Sequence, residues 1–333
     1  MQEDKAQPKG LPVTREQAKQ SRKKLHERFE LIRSGLMIRG HVYPRPLGLT
    51  RAVYVGRAYT WPNRFTAWSV RLGDKHSDRT WLHVWMMPPK AFSRVTRVIR
   101  NAREITWSGE SINLNLYDPD SDSWTVNMRW LKYYTSGAST LQKLLDEWGR
   151  GNEKPYHSLN RDQAKALDMM HYGLQLYDLE LGAIQDYLGL TTDEIWEHAS
   201  QLEKAGVLDL TYRPSTWKTV SVASIATGPE DRVYSMVRGF LKHTPNSSVM
   251  LTDKGTRCIL LSRLPPSALY DFATQMPETA AENDINLRIM ETIEYRTYTA
   301  NLFQRIMREE GSWDSDVSEI TSQVSLPNAS DLS

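Results

Sequence analysis

LGLTTDEIWEHASQLEKAGVLDLTYRP, residues 188–214, is the stretch from which the rest of the chain can be read. Thr191 stands just ahead of an apolar-periodic run and Glu194 follows three residues later, which is the pattern of a capping box. Ile195, Ala199 and Leu202 recur at i, i+4 and i+7 and lay one apolar stripe along a helix. Gly206 ends that helix, because glycine accepts the left-handed backbone at the position after the cap. Val207, Leu208 and Leu210 then open an extended segment.

Upstream, 162–177 and 181–188 give two further helical runs, and Gly189 supplies the tight turn before the third. Three helices with that turn and a following strand form a winged helix-turn-helix arrangement. A small helical bundle with no nucleic-acid partner is the alternative.

At 333 residues the chain can hold two or three domains. No run approaches the roughly 18 apolar residues of a membrane span, and charges stand where a signal peptide has its apolar core. Cys258 is the single cysteine, which excludes an intrachain disulfide and a Cys-based zinc cage. A cytoplasmic protein is the expectation. The net charge of +2 conceals an asymmetry: residues 1–60 carry thirteen Lys and Arg against five Asp and Glu. From Arg308 onward the acidic residues Glu309, Glu310, Asp314, Asp316, Glu319 and Asp331 dominate. A basic amino end suits a polyanionic partner, and the acidic end reads as an unstructured tail.

Residues 1–12 read as a flexible arm. Thr14 caps a helix to about Ser34, with Leu25, Phe29, Ile32 and Leu36 on its apolar stripe. Its other faces carry Arg15, Lys19, Arg22, Lys23, Lys24, Arg28 and Arg33, candidate contacts to phosphates or to guanine in a major groove. A solvated amphipathic helix is the bland reading of the same pattern.

The end of this helix and the segment after it repeat the pattern of residues 188–214. Residues 29–56 parallel 200–224, with Gly35 matching Gly206; WLHVWMMPPKAF (81–92) parallels CILLSRLPPSAL (258–269); INLNL (112–116) parallels INLRI (285–289). Three anchors in one order imply an internal duplication. The second copy reads as strand 219–226, helix 230–243, strand 248–252, a turn at Asp253-Lys254-Gly255, strand 257–262, helix 267–276 and strand 286–294. That order, βαββαβ, is the ferredoxin-like layer of an antiparallel sheet under two helices. In the first copy, 61–77 must hold both the first helix and the second strand, so that helix is short or absent. A last helix is expected over 295–308. The predicted organisation is therefore an arm (1–12), a basic helix with a partial winged helix (13–49), and a first ferredoxin-like domain (50–135). A helix and hinge (136–155), a winged helix-turn-helix (156–214), a second ferredoxin-like domain (215–308) and an acidic disordered tail (309–333) complete it. The fold class is α+β, duplicated, with the first winged helix truncated.

The segment Ser200-Gln201-Leu202-Glu203-Lys204-Ala205-Gly206-Val207-Leu208, followed by a strand and βαββαβ, resembles the Lrp/AsnC (feast/famine) transcriptional regulators. GHVYPRPLGL (40–49) resembles that family's linker into the domain. The resemblance implies DNA-binding regulators whose ferredoxin-like domains pair into dimers and bind a small effector, commonly an amino acid. Two departures stand against it. The first copy lacks the helices that precede a recognition helix, and the helix 191–205 of the second carries Asp193, Glu194, Glu197 and Glu203 against Lys204, a charge that phosphates repel.

Trp61, Trp68, Trp81, Trp85, Trp107, Trp124 and Trp130 crowd the first copy. A base-stacking surface or an aromatic effector pocket is one use of them. Trp81 and Trp85 share a strand face with His83, so packing is the other. Asp118, Asp120 and Asp122 alternate as in a calcium loop, but Ser123 stands where glycine is needed and Arg129 where glutamate should clamp the ion, so a hairpin turn is expected. His41, His83, His157, His171, His198 and His243 show no metal-ligand spacing, and no nucleophile or phosphate-loop motif is present. The expectation is a non-enzymatic, DNA-binding regulator, dimeric or larger, with no cofactor, no bound metal and no membrane partner. A scaffold that has lost DNA binding and, by analogy of fold, a sirohaem-decarboxylase-like enzyme are the alternatives.

Overall fold

The computed structural model describes residues 36–57, 63–74, 77–113, 116–118, 123–135, 138–147, 159–175, 185–214 and 219–320. The arm, the basic helix 14–34 with all seven of its candidate DNA contacts, and Trp61, His157, Asp120 and Asp122 lie outside them. The described chain is α+β with antiparallel strands, and it forms two compact units.

Unit 1 gathers 106–153 and 209–289, together with the chain up to His41. Its sheet contains β10 (Val220–Thr227), β11 (Asn246–Thr252) and β12 (Arg257–Leu264), with β12 in the middle. Helices α7 (Glu230–His243) and α8 (Pro266–Ala281) complete the βαββα order read from the sequence. Alternation puts Val222, Val249, Leu251, Cys258 and Leu260 into one core with Phe240, Phe272 and Met276 of the helices. Beside β11 runs a strand of the other copy: residues 106–112 of β5 (Ala102–Ile112). The Thr106 hydroxyl donates to the Leu251 carbonyl at 3.0 Å. Asn113 closes the far end, its side-chain amide donating to the carbonyls of Leu241 and Thr244. The hairpin at Asp118 is present, as β6 (Tyr117–Asp118) paired with β7 (Ser123–Trp124). Helix α2 (Trp130–Thr135), which the sequence did not suggest, and α3 (Leu141–Glu147) pack on α7.

Unit 2 gathers 42–105, 154–208 and 290 onward. Its sheet order is β5–β2–β4–β3–β13, with β2 (Thr50–Arg57), β3 (Thr66–Asp74), β4 (Ser77–Met87) and the end of β13 (Asn286–Thr297). Here too the outer partner comes from the other copy, since β13 pairs antiparallel with β3 from Glu291↔Gly73 to Thr297↔Trp68. Helix α1 (Pro89–Val98) opens on Pro89, which suits the first helical position because proline has no N–H to leave unpaired. Each unit thus draws strands from both the earlier and the later part of the chain.

Unit 2 also holds helices α4 (Arg161–Tyr172), α5 (Gln185–Leu188) and α6 (Thr192–Lys204). The capping box at Thr191 and Glu194 is formed in both directions. At the other end Val207 N–H reaches the Leu202 carbonyl and Gly206 N–H the Glu203 carbonyl, a Schellman closure with Gly206 at φ +72°. The exit is tied to the first copy. Tyr43 N–H, just after β1 (Leu36–Val42), donates to the Val207 carbonyl at 2.8 Å. In unit 1 the Thr211 hydroxyl of β9 (Leu208–Pro214) donates to the Arg39 carbonyl of β1.

Three expectations are corrected. The parallel between 112–116 and 285–289 is a coincidence of composition: Ile112 ends its strand, whereas Ile285 precedes one. The strand itself is 102–112, and its burial alternates from Glu104 to Glu110, with Ile105, Trp107 and Gly109 inward and Glu104, Thr106, Ser108 and Glu110 outward. The expected helix 295–308 is strand to Thr297, and only Leu302–Ile306 is α-helical, because the ladder with β3 takes up 291–297. Residues 309–320, read from composition as the start of an unstructured tail, are packed. Trp313 donates its indole N–H to the Leu47 carbonyl at 2.6 Å, Val317 and Ile320 are buried, and Asp314 pairs with Arg64.

A Cβ at position 206 would meet nothing within 4 Å, so substitution there acts through the backbone alone. Gly206→Ala should lower stability by about 1–2 kcal/mol and Gly206→Asn by less. Urea unfolding of the three proteins checks the order.

Candidate functional site

Strand β4 places Trp81, His83 and Trp85 on one face by simple alternation, as expected from the sequence. Register adds the rest of that face in unit 2. Tyr54 and Ser69 lie opposite His83, Gly56 and Arg71 opposite Trp81, and Glu294 and Arg296 of β13 opposite Arg71 and Ser69. The reverse face carries Val53, Val70, Leu82 and Val84, all buried.

The rings lie nearly parallel. Trp81 and His83 have centroids 5.8 Å apart, His83 and Trp85 6.5 Å, and Tyr54 stands 6.2 Å from His83 and 6.0 Å from Trp85. Gly56 makes room for this: a Cβ there would fall 2.3 Å from the Tyr54 hydroxyl oxygen. His83 is 3 % exposed and Trp85 fully buried, while Arg71 and Arg296 are close to half-exposed, so the row runs from an interior end to a wet one. At the wet end Glu294 sits between the two arginines, 2.5 Å from Arg296 Nε and 3.6 Å from Arg71 Nε, and the Arg296 guanidinium lies 5.7 Å from the centroid of the Trp81 ring.

Burial holds His83 down to about 4, so its imidazole is neutral at physiological pH. Ser69 Oγ lies 2.6 Å from Nδ1 and sets the tautomer by which of the two donates. Nε2 of His83 and Nε1 of Trp85 are buried atoms without a hydrogen-bond partner among the described residues, while Arg71 Nε has the longer ion pair to Glu294.

Other candidates resolve into structural roles. His41 of unit 1 stands 3.4 Å from Ser108 Oγ through Nε2 and 3.6 Å from Glu110 through Nδ1, both long for a proton relay. His243 stacks on Trp130 at 5.8 Å, and Glu147 of α3 binds Arg238 and Lys242 of α7. Trp107, Trp124 and Trp130 are buried in unit 1, and Trp68 stacks on Tyr295 in unit 2. His171 is buried against Phe303, and His198 is half-buried on α6. Burial pushes the Cys258 thiol up to about 12, which makes it no nucleophile. No group of His, Cys, Asp and Glu among the described residues has metal-site geometry, and no described helix is long and apolar enough to cross a membrane.

On α6, Asp193, Glu194 and Glu197 are exposed, so the acidic face read from the sequence is presented to solvent. Beneath the same bundle lies a group the sequence did not flag. Asp168 of α4 is fully buried and accepts from the backbone N–H groups of Phe303 and Gln304 at 2.7 and 3.1 Å, capping α9 (Leu302–Ile306). Burial raises it to about 7 against the pull of those donors and of Arg305. An aspartate in an apolar helical pattern was the available signal.

Asp168 and His83 load the pH dependence of stability in opposite senses. A raised carboxyl binds its proton more tightly folded than unfolded, so its contribution falls as pH rises from about 4 to about 7. A depressed imidazole contributes the reverse slope between about 4 and 6.5. Asp168→Asn should therefore turn the stability profile upward across that window, and His83→Gln should turn it downward. Urea unfolding at pH 5 and pH 7.5 reads both; parallel profiles for all three proteins would remove both assignments.

No protein-family model matches the chain, and no curated protein matches it. Two solved structures are similar to it over 87% of this chain and 86% of theirs. They are the siroheme decarboxylase NirDL, at 13% identity and a TM-score of 0.37, and the same enzyme in co-complex with an iron-uroporphyrin III analogue, at 14% and 0.38. At that distance no residue role passes from them to this chain.

Proposed function

We propose that this chain is a non-enzymatic, ligand-responsive regulator of Lrp/AsnC type, two winged-helix and ferredoxin-like copies fused in one polypeptide, that grips DNA through its basic amino-terminal segment. The observation that carries the reading is the tie between β1 and the exit of α6. Tyr43 N–H bonds the Val207 carbonyl just beyond α6, and this supports a reading in which the preceding cations Arg15, Lys19, Arg22, Lys23, Lys24, Arg28 and Arg33 act beside that helix. The acidic face of α6 repels phosphate, which leaves the electrostatic contact to those cations. The aromatic face around His83 is the effector surface of the same reading.

The enzyme alternative, a decarboxylase of the kind named for the two similar structures, draws on His83 and the arginines beside it; it requires the protein to purify with a coloured tetrapyrrole.

Fluorescence anisotropy of labelled duplex DNA against full-length protein tests the regulator. Binding should weaken steeply with salt. Replacing Lys19, Arg22, Lys23 and Lys24 by Glu should lower the slope of log K against log salt by about 3–4 if each neutralises a phosphate. No binding at low salt, or an unchanged slope in the variant, overturns it.

A further inference from the structure

We infer that the solvent face of α1 in unit 2 is a second DNA-contacting surface, on which Lys90, Arg94 and Arg97 lie against the phosphates of a duplex whatever its base sequence. The inference rests on the DNA-binding reading for its partner, and its contacts are separate from the amino-terminal cations.

Spacing sets the face. Lys90, Arg94 and Arg97 stand at i, i+4 and i+7, so they share one side of the helix, and Arg100 extends the run just past its end. Ala91 and Val95 are buried on the other side, while all four cations are exposed. Glu104 is the single acid between 88 and 104. Arg103 is turned back on the chain, its Nη1 donating to the Arg100 and Ala102 carbonyls.

The paired carboxylates of unit 2 are engaged elsewhere. Asp314 meets Arg64 and Arg308, Glu294 meets Arg71 and Arg296, and Asp162 meets Lys165. None of Lys90, Arg94, Arg97 and Arg100 has an ion pair among the described residues.

The stripe is unfavourable to the helix that carries it. Lys90 occupies the first turn, where the helix dipole opposes a cation, and no acid in that turn balances it. Lys90 and Arg94 are like charges at i, i+4, and Arg94 and Arg97 at i, i+3, so each pair repels. Nor does a helix in this setting require it. Helix α8 of unit 1 also begins at a Pro-Pro pair, yet it carries Asp271 and Glu278 and has neither Lys nor Arg.

A polyanion relieves that repulsion, and the rest of the face selects its class. Val98, 38 % exposed, is the one exposed large hydrophobic residue of α1. A helix lying on a membrane needs Trp, Phe or Leu to bury among the lipids, and a protein interface needs an apolar centre. Phosphates need neither. From Lys90 to Arg97 the helix advances about 10 Å, which matches about three phosphates of one strand at about 3.4 Å of duplex axis each.

The test is fluorescence anisotropy of labelled duplex DNA against full-length protein over a range of salt. One variant combines Lys90→Gln, Arg94→Gln and Arg97→Gln. A control combines Arg129→Gln, Lys143→Gln and Lys254→Gln, which removes the same charge from exposed positions of unit 1. The α1 variant should lower the slope of log K against log salt by about 3, and the control by less than about 1. Its melting temperature should equal or exceed that of the wild type, because only repulsive charges are removed. An unchanged slope, an equal fall in both variants, or a lowered melting temperature overturns the inference. So does a loss of self-association on sedimentation with DNA binding intact, which would assign the face to an acidic protein surface. The variant at Lys19, Arg22, Lys23 and Lys24 separates the two claims. A slope lowered by that variant alone overturns the α1 contact and leaves the amino-terminal grip. A slope lowered by the α1 variant alone supports the inference and overturns the grip. No DNA binding at low salt overturns both.

Discussion

An antiparallel sheet that ends in open solvent exposes a row of unpaired N–H and C=O groups, and covering that edge is the constraint on which this structure turns. Each copy has such an edge, β3 in the first and β11 in the second. Each edge is covered by the other copy's last strand, β13 in unit 2 and the end of β5 in unit 1. The exchange explains why the compact units do not follow the repeat boundaries. It also meets inside one chain a need that separate subunits meet by dimerising.

The exchange also composes the candidate site. Tyr54, Ser69, Arg71, Trp81, His83 and Trp85 belong to the first copy, while Glu294 and Arg296 arrive on β13. The positions of β12 that align with Trp81, His83 and Trp85 are Cys258, Leu260 and Ser262, opposite Ala226, Ser224 and Val222 of β10, with no aromatic group among them. Stacked aromatic rings along one strand face are thus a feature of β4 and not of β12. Within unit 2, Tyr43 N–H meets the Val207 carbonyl just beyond α6.

Local signals were strong wherever a short stretch settles its own conformation. The capping box at Thr191, the stop at Gly206, the span of α7 and the turn at Asp253 could be read directly, because each depends on contacts within four or five residues. The alternation Trp81, His83, Trp85 was equally plain. Strand β5 alternates polar and apolar residues from Glu104 to Gly109, but nothing in that alternation names β11 and β2 as its neighbours. Nor was the packed segment 309–320, whose acidic composition says nothing of Trp313 reaching Leu47 or of Asp314 meeting Arg64.

The sequence by itself determined the α+β class, the capping box and stop of α6 and the shared face of Trp81, His83 and Trp85, all properties of spacing along the chain. The tertiary structure decided the rest. It determined that β13 extends to Thr297 against β3, that Arg71 and Arg296 join His83, that Asp168 caps α9, and that the two copies exchange strands. The reason is physical: a strand's partner, an orphaned donor and a shifted carboxyl are set by groups a hundred or more residues away, and periodicity carries no record of them.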